Sequence, residues 1–189
     1  MTLLETRSQV HDQPHRFTAA QFWQMLETGV LPPEGRFELL EGVIYPLNPM
    51  LDPHYAGLGT LTMQLAPKLV GRAMVLSQVP IAIGELYSQP IPDFIVIALE
   101  RYDGKVPSPD KLTLVVEVSD SSLKRDQTEK VPLYARHRIP EYWILDVQKN
   151  RVEVYRDPDG EEYRSRRILK SGEAASPLEF PDVQIQWWA

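Results

Sequence analysis

Three side chains in this sequence have the types and order of a hydrolytic centre. Asp93 follows Pro92 at the head of one apolar run, Glu117 lies inside a second (Leu112 to Val118), and Lys130 sits on the polar segment after it. Two carboxylates on strands can hold a hard divalent cation such as Mg²⁺, with water completing its shell. The cation activates that water and shields phosphate charge. An ammonium group beside it stabilises the negative charge that develops, or orients the nucleophile. The chemistry these parts compose is metal-dependent phosphodiester hydrolysis. Glu117 poses the sharpest question, because a carboxylate within an apolar strand is costly unless it is paired or bound to a metal. Metal ligation and an ion pair with a nearby Arg or Lys both answer it.

Spacing chooses among the four Pro-Asp pairs of the chain. Asp110 precedes Glu117 by seven residues on nearly the same strand, which at about 3.3 Å per residue is roughly 23 Å, too far to share a metal. Asp159 precedes Gly160 and reads as a turn. Asp182 leads into the last apolar segment with no acidic partner after it. Asp93 heads a separate strand, and neighbouring strands can bring two carboxylates together. Strand alternation puts Glu117 and Ser119 on one face and Leu112, Leu114, Val116 and Val118 on the other.

The elements that must position these groups are legible. Residues 1–15 read as a loose arm and 16–189 as one domain. Thr18 and Gln21 fit a capping box before a short helix ending near Gly29. Arg36 to Leu47 reads as a pair of short strands or a helix end, turning at Glu41-Gly42. His54 to Val70 has a helical stripe of Leu58, Leu61, Leu65 and Leu69. Strands are expected at Ala73 to Ile83, Ile91 to Leu99 and Leu112 to Ser119. Leu123 to His137 is a second long helix that Pro132 can bend. A hairpin of Glu141 to Val147 and Arg151 to Arg156 follows, then strands at Tyr163 to Leu169 and Val183 to Trp188. Mixed strands and helices favour a single α/β or α+β fold.

Composition narrows the function. The chain has 189 residues, 43% hydrophobic and 24% charged, and no cysteine. Disulfides, thiolate zinc sites and a cysteine nucleophile are excluded. No apolar stretch is long enough for a membrane helix, and the start lacks a signal-peptide hydrophobic region, so a cytoplasmic protein is expected. The net charge of -6 argues against tight non-specific nucleic-acid binding. Yet residues 101–140 carry eight Lys/Arg against six Asp/Glu, a local excess of +2, and a basic face there could meet phosphate or simply be solvated. Gly57-Leu58-Gly59 is no dinucleotide loop, since no strand feeds it and the third glycine is missing. Walker, HExxH and GxSxG motifs are absent. His54 could touch phosphate or metal, or cap its helix. Tyr142-Trp143 and Trp187-Trp188 read as packing or interface aromatics that could also stack on bases.

In order, Asp93, Glu117-Val118-Ser119, Asp126 to Lys130, Tyr134-Ala135 and Ile139-Pro140-Glu141-Tyr142-Trp143-Ile144-Leu145-Asp146 resemble a bacterial family of putative restriction endonucleases. That family falls within the PD-(D/E)XK nuclease superfamily. Arg36-Phe37-Glu38-Leu39-Leu40-Glu41-Gly42 and His54 extend the match, which runs from about Thr18 to Arg156. The resemblance implies a restriction-endonuclease-like mixed sheet flanked by helices, and a Mg²⁺-dependent DNA endonuclease (Mn²⁺ as substitute) acting as a homodimer. It implies that Asp93 and Glu117 hold the metal with the Val118 carbonyl, and that Glu38 is the acidic residue of the first motif. The superfamily's lysine stands two residues after the second acid, where this chain has Ser119. Lys130 on the following helix matches a moved lysine, with Lys124 as a competing donor. Two rivals stand beside this reading: a non-catalytic nucleic-acid-binding or regulatory dimer, and a structural module whose acids merely pair with bases.

Overall fold

In the computed structural model, which describes residues 14–47, 49, 51–84 and 88–186, Thr18 caps the first helix as expected. Its hydroxyl accepts from the Gln21 N–H at 3.2 Å, and the Gln21 side chain accepts from the Thr18 N–H at 2.9 Å. Helix α1 (Ala19–Glu27) follows and buries Phe22. Residues 36–47 form a hairpin, β1 (Phe37–Leu40) and β2 (Val43–Pro46). Its turn residues Glu41 and Gly42 have φ of 49° and 75°, the left-handed pair that a two-residue hairpin turn needs. Helix α2 (Asp52–Leu69) buries Leu61, Leu65 and Leu69, the expected stripe.

Strand β3 (Ala73–Ser77) is shorter than its sequence suggested. Gln78 takes φ of 55° and ends it, and Ile81 and Ile83 pack elsewhere in the core. Strands β4 (Phe94–Ala98) and β5 (Leu112–Ser119) are buried throughout. A helical segment then runs through α3 (Leu123–Arg125), a π-helical turn (Asp126–Lys130) and α4 (Val131–Arg136). Strands β6 (Glu141–Asp146), β7 (Arg151–Asp159) and β8 (Glu162–Lys170) form two hairpins. Short strands β9 (Ala174–Ala175) and β10 (Ile185–Gln186) pair at the end. The strand expected at 183–188 shrinks to β10, and Trp187-Trp188 lie outside the described residues, as does residues 1–13 of the expected arm.

The main sheet has the order β3-β4-β5-β6-β7-β8. Only β5 and β6 pair in parallel, because the helical segment between them carries the chain back across the sheet. One core lies between the sheet, α2 and residues near β10; the other lies under α4. Two covered faces explain why β4 and β5 read as continuous apolar runs rather than alternating ones.

One alternation expectation fails for a local reason. Val96 pairs with Leu114 but Ile97 pairs with Leu112, so Thr113 is an extra residue in β5. Its hydroxyl donates to the Val96 carbonyl at 3.0 Å. The bulge reverses the phase of the strand. Leu112 therefore packs with Val115 on the α4 face, while Leu114, Val116 and Val118 face α2 as expected.

Gly57 lets α2 lie close on β5 at the site. A Cβ built there would come within 2.7 Å of Val118 Cγ1 and 3.2 Å of Val147 Cγ1. Gly57→Ala is expected to destabilise by about 1–3 kcal/mol, the usual cost of overpacking a tight core. Urea unfolding checks it, with Gly59→Ala as control, since nothing lies within 4 Å of a Cβ at Gly59.

Candidate active site

Pro132 shapes the segment that carries the lysine. It has no N–H to give to the Thr128 carbonyl one helical turn back. The Val131 N–H reaches the Asp126 carbonyl instead, five residues back, and the turn widens. The bend expected at Pro132 is this π-helical turn. It aims Asp126 and Lys130 together at the sheet, 1% and 2% exposed.

Three carboxylates surround the Lys130 ammonium. Its Nζ lies 2.9 Å from Glu117 Oε1, 3.1 Å from Glu38 Oε2 and 3.4 Å from Asp126 Oδ1. Glu38 comes from β1, Glu117 from β5 and Asp126 from the wide turn. The Tyr134 hydroxyl donates to Glu117 Oε1 at 3.2 Å. Ser119 and Ser122 hydroxyls both donate to Asp126 Oδ2 at 2.6 Å. At the far side of Glu38, Arg125 Nε lies 3.6 Å from Oε1, its guanidinium held over the Tyr45 ring at 5.3 Å.

Asp93 stands just ahead of β4. Its Oδ2 accepts the Val118 N–H at 2.8 Å, and its Oδ1 lies 3.3 Å from His54 Nε2 on the first turn of α2. The Ser119 carbonyl accepts from the Val147 N–H at 3.1 Å, toward β6. Successive strand residues point their amide groups to opposite edges, so the Val118 N–H and carbonyl both turn toward Asp93. Asp93, Glu117, Val118, Asp126 and Lys130 line one solvent-open cleft, with Arg36, Arg125 and His54 among its other walls.

The charges do not balance. Glu38, Asp93, Glu117 and Asp126 are all buried. Lys130 and Arg125 oppose them and His54 stands beside Asp93, so with all four acids ionised the formal excess over Lys and Arg is two negative charges (4 − 2). Glu38 Oε1 and Asp126 Oδ1 are buried without a hydrogen-bond partner. Burial pushes the Glu117 carboxyl well above the ordinary carboxylate range. Lys130 pulls it down, but Asp126, Asp93 and Glu38 push it further up. Burial works against the Lys130 charge, yet Glu117, Asp126 and Glu38 together hold its pKa well above the ordinary value. The ammonium thus stays charged while the acids around it remain short of positive charge. A hard divalent cation fits that deficit by donor chemistry and by sign. Among the described residues, no three His, Asp or Glu side chains gather to hold a metal by themselves.

The structure brings Glu38, Asp93, Glu117, Val118 and Lys130 together. Lys124 is exposed and does not line the cleft, so Lys130 is the ammonium in place. Asp110 is exposed on a short turn far from the group, and Asp182 pairs with Arg72 at 2.6 and 2.9 Å. Tyr142 and Trp143 are buried in the core. Asp126, Tyr134 and Arg125 had no assigned part in the sequence reading. The four-residue spacing from Asp126 to Lys130 was the available signal for Asp126.

The sequence profile of the Uma2 family, described as "Putative restriction endonuclease", matches residues 19–187. No curated protein matches. Among solved structures, a crystal structure from Anabaena variabilis, described as a putative nuclease belonging to DUF820, superposes with a TM-score of 0.64. It is 16% identical, and the match covers 89% of this chain and 94% of that one. The likeness carries the fold: a mixed sheet flanked by helices.

Proposed function

The chain belongs to the Uma2 family of putative restriction endonucleases, and from that premise we propose that it is a Mg²⁺-dependent DNA endonuclease. The single observation that carries this reading is the buried excess of carboxylate charge around Lys130, in which Glu38 Oε1 and Asp126 Oδ1 have only ion-pair contacts, at 3.6 and 3.4 Å, and no hydrogen bond. A structural ion-pair cluster has no need of four acids for two bases.

Asp93 and Glu117 would hold the metal, with the Val118 carbonyl beside them. The metal, Mg²⁺ or Mn²⁺ in its place, supplies water activation and charge shielding at the phosphate. Lys130 keeps its proton under three carboxylates and presents a fixed positive charge to the developing oxyanion. Glu38 and Asp126 hold that ammonium in position, and Tyr134 holds Glu117. His54 orients Asp93 from the side opposite Val118. Arg36 and Arg125 at the cleft wall supply charge for the substrate backbone. Two strands need two cuts, which favours a homodimer with one such cleft per subunit.

Cleavage of supercoiled plasmid with Mg²⁺ or Mn²⁺ tests the reading. Wild type is expected to nick, and Asp93→Ala to lose more than about a hundredfold in rate, beyond what removing a supporting partner costs. His54→Ala, which removes only such a partner, is expected to lose about 10- to 100-fold, partly restored by higher Mg²⁺. Nicking that survives Asp93→Ala would exclude this site as its source.

A further inference from the structure

We propose that the groove beside the cleft takes an unpaired nucleobase of the substrate strand, so that the DNA cut is single-stranded or splayed at the cleavage point. This rests on the reading of the cleft as a DNA-hydrolysing site. The groove adjoins the cleft, with Arg36, Gln78 and Ile91 lining both. Its far wall is aromatic: Trp23 on α1 and Phe37 on β1.

Trp23 is 43% exposed, although burial of its indole would be favourable. Its ring is braced by Phe22 at 5.8 Å between centroids. A braced, open indole offers a π-face on which any base can stack. The Gln89 amide stands beside Gln78 at the polar edge, and an amide can donate and accept at once, as a base edge requires. Gln78 is held there at a backbone cost. Its φ of 55° is a left-handed value that a non-glycine residue adopts only when its surroundings impose it. Its N–H donates to the Asp93 carbonyl at 3.2 Å, and its side chain accepts from Arg36 at 3.2 Å. One residue is thereby tied both to the proposed metal ligand and to the cation at the groove mouth.

The arrangement follows a strand: carboxylates at the scissile phosphate, Arg36 at the next, then an aromatic slot for the base between them. In a duplex, both faces of a base are stacked and its edge is paired. A base reaches a slot of this kind only when it is already unpaired or is flipped out.

Fluorescence anisotropy with labelled oligonucleotides in Ca²⁺, used in place of Mg²⁺ to bind DNA without cutting, tests the proposal. Wild type, Trp23→Ala and Asp93→Ala would each be titrated with a single strand, an overhang duplex and a blunt duplex of one sequence. Wild type is expected to bind the single strand and the overhang at least about tenfold tighter than the blunt duplex. Trp23→Ala is expected to lose about tenfold on those two substrates and nothing on the blunt duplex. Equal affinity with and without Trp23, an equal loss on all three substrates, or no binding of any oligonucleotide would overturn the proposal. The cleft reading is judged apart from it, by the thermal shift that Mg²⁺ gives wild type and Asp93→Ala. A shift confined to wild type, with no dependence of binding on Trp23, would overturn the groove alone. Trp23-dependent binding with no metal shift would overturn the metal reading alone.

Discussion

Lys130→Ala is expected to destabilise the metal-free protein by about 3–5 kcal/mol and to abolish cleavage. The Lys130 ammonium is the shared partner of Glu117, Glu38 and Asp126, all within 3.4 Å. Removing it leaves three buried carboxylates facing one another, and stranding a buried charge carries a cost of that size. For a chain of this length each kcal/mol moves the melting temperature by about 2–4 °C, so a fall of roughly 6–20 °C is expected. Lys130→Met separates charge from packing, because it keeps the apolar stem and should fall nearly as far. The effect of metal is more telling. A divalent cation entering between Asp93 and Glu117 restores positive charge to the cluster, so Mg²⁺ should raise the melting temperature of Lys130→Met at least as much as that of wild type, without restoring cleavage. A variant that melts like wild type would show that the lysine does not hold these acids. Lys124→Ala, at an exposed position off the cleft, should change neither property.

Much of this centre was legible because the cost of burying charge is readable from sequence. Glu117 within Leu112 to Val118 required a partner whatever the fold, and the rise per residue along a strand removed Asp110. The capping box of Thr18 and the stripe from Leu58 to Leu69 depend on local spacing, and both stand in the structure. The failures were of two kinds. Leu112 changed face because the Thr113 bulge inserts a residue whose presence depends on the partner strand. The strand after Ala73 ended early because Gln78 is turned by its bond to the Asp93 carbonyl, a contact fifteen residues away in sequence. The approach of His54 to Asp93 has the same origin. It needs α2 to lie against β5 at Gly57, which no local pattern encodes. Asp126 was visible as a residue but not as a partner, since the π-helical turn that aims it arises from one missing N–H at Pro132.

Glu117→Gln should give the opposite sign. Glu117 holds its proton well above the ordinary carboxylate pKa of 4.5, first through burial and then through Asp126, Asp93 and Glu38, with Lys130 opposing. A group whose folded pKa is raised contributes stability that is fully present below the unfolded pKa and is lost as pH rises through the folded one. The metal-free wild type therefore loses roughly 1.4 kcal/mol for each pH unit between those two values. Glutamine is neutral throughout and still accepts from Lys130 and Tyr134 through its carbonyl oxygen. The metal-free variant should match wild type below about pH 4.5 and exceed it increasingly as pH rises from there toward the raised folded pKa of Glu117. Mg²⁺ should reverse the order. At a hundred times its dissociation constant, a ligand adds about 2.7 kcal/mol to wild type, and the variant, without its anionic ligand, should gain almost none. The two stability curves would then cross with metal concentration, and cleavage would follow wild type alone. A purely structural ion pair makes a different demand: Glu117→Gln would weaken the fold at every pH, by up to about 3–5 kcal/mol, and Mg²⁺ would move neither protein. The pH series without metal thus separates a carboxylate kept for an absent cation from one kept for Lys130.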